Sequence, residues 1–128
     1  MSGPKASIAV VDDDRRVLES LADLFESAGY GVRTYVSARL LVEAGFRGVD
    51  CLITDIGMPG MDGFELLDAA KAARADLPVF LITGRHEIGD QERVTTRDVS
   101  GFFRKPFDGP SLLAAIASAL RQMNGRSA

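Results

Sequence analysis

Five short runs of apolar and β-branched residues punctuate the chain: Ser7 to Val11, Val32 to Tyr35, Cys51 to Thr54, Val79 to Thr83 and Gly101 to Phe103. Each reads as a strand. Between them the spacing changes. Val17, Leu18, Leu21, Leu24 and Phe25, and then Phe64, Leu67, Ala70 and Ala73, recur three and four apart, as on one face of a helix. Gly29 and Gly31 mark the stop of the first helix, and Ser37 is placed to cap the second. The last helix is predicted from about Pro110 to Met123, with Pro110 in its first turn and Leu112, Leu113, Ile116 and Leu120 on one face. The tail 124–128 is expected to fray.

Alternation of strand and helix implies a mainly parallel sheet with helices on both faces, because parallel strands need crossovers and right-handed crossovers dominate. A doubly wound α/β fold follows, and in such folds ligands bind beyond the carboxyl ends of the strands. The pattern is weakest between the fourth and fifth runs. Ile88, Val94 and Val99 are scattered there among Gly89, Asp90, Gln91, Glu92 and Arg93, which predicts a short, mobile or partly unwound fourth helix. With 128 residues, 46% of them hydrophobic, the chain suits one domain with one core. It contains no repeat or low-complexity tract. Residues 1–124 are read as that domain, and 125–128 as a flexible tail or the start of an interdomain linker.

Charge narrows the function. Fifteen Lys and Arg against 18 Asp and Glu give a net charge of -3, so there is no broad electrostatic reason for direct nucleic-acid binding. Cys51, the single cysteine, lies in an apolar run and reads as a buried small hydrophobe; an intrachain disulfide is impossible. The start of the chain lacks a signal-peptide core, and no apolar stretch approaches membrane-spanning length. The expected location is the cytoplasm, without membrane contact.

The strand ends carry the candidate chemistry: Asp12-Asp13-Asp14 after the first strand, Asp55 after the third, Thr83 after the fourth and Lys105 after the fifth. Taken singly these are ordinary turn and cap residues. Taken together, acids at two strand ends and a hydroxyl and an amine at two others converge on one edge. Clustered carboxylates repel, so at neutral pH they call for a shared proton or a bound cation. Oxygen donors without His or Cys favour a hard cation, and Mg²⁺ leads for a site that handles phosphate; His86 is not needed as a ligand. Asp55 is the candidate nucleophile toward phosphorus, since a carboxylate can form an aspartyl phosphate. Mg²⁺, Lys105 and Thr83 would then neutralise or hydrogen-bond the phosphoryl oxygens.

Val10-Val11-Asp12-Asp13, the segment Asp55-Ile56-Gly57-Met58-Pro59-Gly60-Met61-Asp62-Gly63, Leu81-Ile82-Thr83-Gly84 and Lys105-Pro106-Phe107 together resemble the receiver domains of two-component response regulators. The resemblance covers nearly the whole chain. It implies a flavodoxin-like sheet of five strands in the order 2-1-3-4-5. It further implies Mg²⁺ held by Asp12, Asp13, Asp55 and the backbone carbonyl of Gly57, with phosphorylation on Asp55. Thr83 would move toward the phosphoryl group, and Lys105 would ion-pair with it, followed by a cis bond to Pro106. Asp14 is left as a helix N-cap. Phe102, three positions before the lysine, would turn inward with Thr83; its competing reading is packing, with alternation placing either Phe102 or Phe103 outside.

The implied role is a phosphorelay switch rather than an enzyme in the usual sense. A sensor histidine kinase supplies the phosphoryl group, Mg²⁺ assists self-phosphorylation and self-dephosphorylation, and the surface of the fourth helix, fifth strand and fifth helix addresses an effector. Ile82-Thr83-Gly84, Lys105-Pro106-Phe107-Asp108 and Leu112-Leu113 are similar to receivers of nitrogen-fixation transcription regulators. That similarity implies a DNA-binding output domain and phosphorylation-dependent homodimerisation; a natural single-domain receiver is the alternative. The chain departs from many receivers at Gly84-Arg85-His86-Glu87 and at Thr95-Thr96-Arg97-Asp98-Val99-Ser100. Gly84 would leave the phosphoryl site open to water, and Arg85 and Gly57 flank it.

Three rival readings compete. Aspartyl-nucleophile phosphatases usually carry a second acid two positions on, where this chain has Gly57. A flavin module needs a phosphate-cradling turn where Asp12-Asp13-Asp14 stand. A docking-only receiver is opposed by the complete set of acid, hydroxyl and amine.

Overall fold

The computed structural model describes residues 6–84 and 99–127. Along the chain it shows β1 (Ser7–Val11), α1 (Arg15–Ser27), β2 (Gly31–Tyr35), α2 (Ala38–Ala44), β3 (Cys51–Asp55), α3 (Gly63–Ala73), β4 (Val79–Thr83), β5 (Gly101–Arg104) and α4 (Gly109–Ser127). All pairings are parallel and the strand order is β2-β1-β3-β4-β5, as the resemblance implies. The expected weak helix between β4 and β5, with Arg85 and His86, lies outside the described residues.

Each strand end follows from pattern and cover. Every residue of β3 and β4 is buried, because these central strands are covered on both faces. Edge strand β2 exposes Arg33 and Thr34. Alternation divides the core into two layers. Ala9, Val11, Leu52 and Leu81 meet Leu41 of α2 and Phe64 and Leu67 of α3 on one face. Ile8, Val10, Ile53, Phe80 and Ile82 meet Leu21 and Phe25 of α1 and Leu112 and Ile116 of α4 on the other. Each large side chain so buried contributes about 1.5–3 kcal/mol.

Helix ends follow local chemistry. Asp14 caps α1 by accepting from the Arg16 N–H at 2.9 Å, and Ser37 caps α2 by accepting from the Leu40 N–H at 3.3 Å. Gly29, at φ +95°, ends α1 with the Gly29 N–H donating to Glu26 and the Tyr30 N–H to Phe25. Gly31, expected as part of that stop, instead opens β2, donating to Ala6 at 2.8 Å. The last helix is longer than its apolar stripe predicts: it runs through Asn124 and Gly125 to Ser127 instead of ending near Met123. One glycine weakens a helix by about 1 kcal/mol, too little to force a stop.

The expectation that alternation puts one of the phenylalanine pair outside does not hold. Both are half-buried, because the sheet has a core on each face: Phe102 packs on the α2–α3 layer and Phe103 on the α1–α4 layer. Phe103 also meets the Phe80 ring at a centroid distance of 6.2 Å.

Candidate functional site

The parallel register delivers the site. Val11 pairs with Thr54, Asp55 with Ile82, and Thr83 with Arg104, so β3 ends one residue beyond β1, β4 one residue beyond β3, and β5 level with β4. Asp12 follows β1 and Lys105 follows β5, while Asp55 and Thr83 close their own strands. Asp12, Asp55, Thr83 and Lys105, chosen from strand ends, therefore share one edge of the sheet. Asp55, Gly57, Thr83, Gly84 and Lys105 line a cleft of about 140 Å³ there. A larger cleft of about 430 Å³ contains Lys71, Pro78, Ser100 and Ala119 but none of these acids, so chemistry and not size selects the site.

Asp12 is completely buried. Its Oδ1 accepts from the Asp14 N–H at 2.9 Å and its Oδ2 from the Lys105 ammonium at 2.8 Å. Lys105 Nζ also lies 3.7 Å from Asp55 Oδ1, and the Lys105–Pro106 bond is cis, as the resemblance implies. Asp12, Asp13 and Asp55 each offer a carboxylate oxygen within 4.8 Å of the others, with Asp13 exposed and Asp55 buried. Burial pushes the Asp55 carboxyl above its usual range and Asp12 pushes it further; Lys105 works against this, Asp13 adds to it, and the Gly57 N–H stabilises the charged form. Burial opposes the Lys105 ammonium, but its hydrogen bond to Asp12 and the charges of Asp55 and Asp12 hold its pKa above the usual value.

Three carboxylates against one ammonium leave the cluster negatively charged and short of a counter-charge. Its donors are all oxygen, which fits a hard divalent cation and not a soft one. Phosphate oxygens would find the Lys105 ammonium and the Thr83 hydroxyl on the same rim.

Residues 8–117 match the response regulator receiver domain. This chain is a response regulator receiver domain. The receiver is 36% identical over 120 residues to the transcriptional regulatory protein FixJ of Bradyrhizobium diazoefficiens, covering 92% of this chain and 58% of that protein. It is 38% identical over 124 residues to FixJ of Azorhizobium caulinodans, covering 94% and 56%. These matches bear out the likeness to nitrogen-fixation regulators. The structure superposes with a TM-score of 0.87 on a CheY-like receiver domain from Methanospirillum hungatei, at 25% identity and covering 94% of this chain and 98% of that one. The receiver spans just over half the length of the curated relatives it matches. Receivers of this family are phospho-acceptor switches that interact with histidine kinases. No helix among the described residues is long and apolar enough to cross a membrane.

Sequence reasoning missed three parts of the site's frame. Asp62 and Glu65 form a capping box at the start of α3, with Asp62 Oδ1 accepting from the Glu65 N–H at 2.9 Å and Glu65 Oε1 from the Asp62 N–H at 3.1 Å. That acid-x-x-Glu spacing was readable. Gly63 begins α3 where a β-carbon would lie 2.3 Å from the Asp55 carbonyl oxygen. Thr54 sends its hydroxyl to that same oxygen at 3.0 Å; in the sequence it reads as one more β-branched strand residue.

Proposed function

We propose that Asp55 is the phospho-acceptor of this receiver and that a sensor histidine kinase is the donor. A carboxylate oxygen of Asp55 attacks phosphorus on a phosphohistidine, the O–P bond forms as the N–P bond breaks, and the imidazole leaves with the electron pair. The observation that supports this most is the convergence of Asp12, Asp13 and Asp55 with Lys105 at one end of the sheet. Asp12, Asp13, Asp55 and the Gly57 carbonyl are the groups to hold Mg²⁺, which when bound supplies positive charge for the phosphoryl oxygens.

The chain's own residues do the rest. The Lys105 ammonium already lies between Asp12 and Asp55, so a short swing carries it to a phosphoryl oxygen. Thr83 closes β4 on the cleft, and its hydroxyl donates to a second phosphoryl oxygen. Its movement frees Phe102 to turn further inward from its half-buried position on β5. The altered surface of the late helices and β5 then controls a DNA-binding output domain or other effector, with phosphorylation favouring a homodimer. Gly84, with no side chain on the rim, admits the water that attacks phosphorus and returns the carboxylate and inorganic phosphate. Residues 1–124 hold the functional unit, with 125–127 as the last residues of α4, and the switch works in the cytoplasm.

Intact-protein mass after incubation with acetyl phosphate tests the reading. A phosphoryl adduct is expected in wild type with Mg²⁺, and none with EDTA or in Asp55→Asn. An adduct that persists in Asp55→Asn would place the acceptor elsewhere, and multiple turnover of phosphate esters would favour a phosphatase.

A further inference from the structure

β3 is apolar through Cys51, Leu52 and Ile53 and then places a buried hydroxyl at Thr54, immediately before the acceptor. Valine would fill nearly the same space, so packing alone does not account for the oxygen. Thr54 Oγ1 donates to the Asp55 carbonyl oxygen at 3.0 Å. That carbonyl sits where β3 leaves the sheet, and a strand-end carbonyl buried away from water needs a donor.

The same peptide is pressed by the start of α3. A β-carbon on Gly63 would lie 2.3 Å from the Asp55 oxygen, 2.8 Å from Ile56 Cα and 3.0 Å from the Asp55 carbonyl carbon. All three are backbone atoms, so no side-chain rotation relieves the overlap. Gly63 in turn donates its N–H to the Ile56 carbonyl at 3.0 Å, and the Asp62–Glu65 capping box secures the helix start. The Asp55–Ile56 peptide is thus held at its N–H by the Ile82 carbonyl of β4 at 2.9 Å, at its carbonyl by one hydroxyl, and from above by one helix.

We propose that Thr54 is a positioning residue for phosphoryl acceptance: with Gly63 it fixes the Asp55–Ile56 peptide. That sets the acceptor carboxylate relative to the Gly57 backbone two residues on. The inference rests on the reading of Asp55 as acceptor and adds what aims it. A group held in attacking geometry loses rate steeply when its backbone shifts by a fraction of an ångström. The hydroxyl touches neither phosphoryl donor nor leaving group, so its effect passes through Asp55.

The test compares initial rates of phosphorylation by acetyl phosphate at saturating Mg²⁺, with thermal midpoints measured alongside. Thr54→Val, which removes the hydroxyl and keeps the volume, is expected to slow acceptance about tenfold. Thr54→Ser loses a buried methyl and melts lower, yet should stay within about twofold of wild type because the hydroxyl remains. Gly63→Ala, pressing the same peptide from α3, is expected to slow acceptance as Thr54→Val does. Ser37→Ala removes the cap of α2, lowers the midpoint and should leave the rate unchanged. Thr54→Val at the wild-type rate, Thr54→Ser as slow as Thr54→Val, or an equal slowing in Ser37→Ala would overturn the proposal. A wild type that gives no Asp55-dependent adduct would overturn the acceptor reading itself.

Discussion

Asp55→Asn preserves the shape of the acceptor side chain and removes its charge, and in Mg²⁺-free buffer it is expected to raise the thermal midpoint. Carboxylate oxygens of Asp12, Asp13 and Asp55 lie within 4.8 Å of one another, while the Lys105 ammonium is 3.7 Å from Asp55. At an effective dielectric constant of about 20, each like-charge pair at that separation costs about 3.5 kcal/mol and the lysine contact returns about 4.5 kcal/mol. Asp13 is exposed, so water and salt weaken its share, and the net relief falls to about 1–2 kcal/mol. For a domain of this size that is about 3–8 °C in the midpoint. Circular dichroism melts in EDTA would measure it.

The pH dependence has a definite sign. Burial first, and Asp12 next, raise the Asp55 pKa in the folded state. Such a group favours folding below its unfolded pKa and loses that contribution as pH rises through the folded value. The gap between Asp55→Asn and wild type should therefore be widest near neutrality and close as pH falls through the carboxylate range. Added Mg²⁺ should stabilise wild type more than the variant, because the variant lacks one ligand charge. A variant that melts at or below wild type in EDTA at neutral pH would refute the argument that the acids are electrostatically crowded.

Two further predictions concern the frame. Gly101→Ala would place a β-carbon 2.8 Å from Phe80 Cδ2 and 2.9 Å from Cε2, and should cost about 1–3 kcal/mol in urea unfolding; an unchanged midpoint would mean that the ring has free space to move into. The Cys51 thiol is pushed far up by burial and, secondarily, by Asp50, so it should resist a thiol reagent in native buffer and react in step with urea unfolding. Rapid labelling of the native protein would contradict the buried-hydrophobe reading.

How much was legible in the residues varies with the range of the interaction. Ser7 to Val11 and Val79 to Thr83 were read to the residue, because a short apolar run bounded by polar residues already states both burial and length. The caps Asp14 and Ser37 were legible because a cap bonds within three residues of itself. The end of the last helix was not, since Asn124 and Gly125 are merely poor helix formers and the backbone continues through them. The expectation that one of Phe102 and Phe103 lies outside failed for a different reason: alternation gives opposite faces but does not say whether a face is covered.

Which chemical groups this receiver owns, and that they fall at strand ends, is written in the residues, because periodicity and turn chemistry are local properties of the chain. The register across four strands, with Asp55 one residue beyond Val11, Thr83 one beyond Asp55 and Arg104 level with Thr83, comes from the packed sheet, and it sets Lys105 on Asp12 across 93 positions of sequence. Only the tertiary structure decided that Gly63 and Thr54 meet at the Asp55 carbonyl. Distances between strands come from register and helix packing, and those depend on every side chain in the two core layers together, so no local pattern carries them.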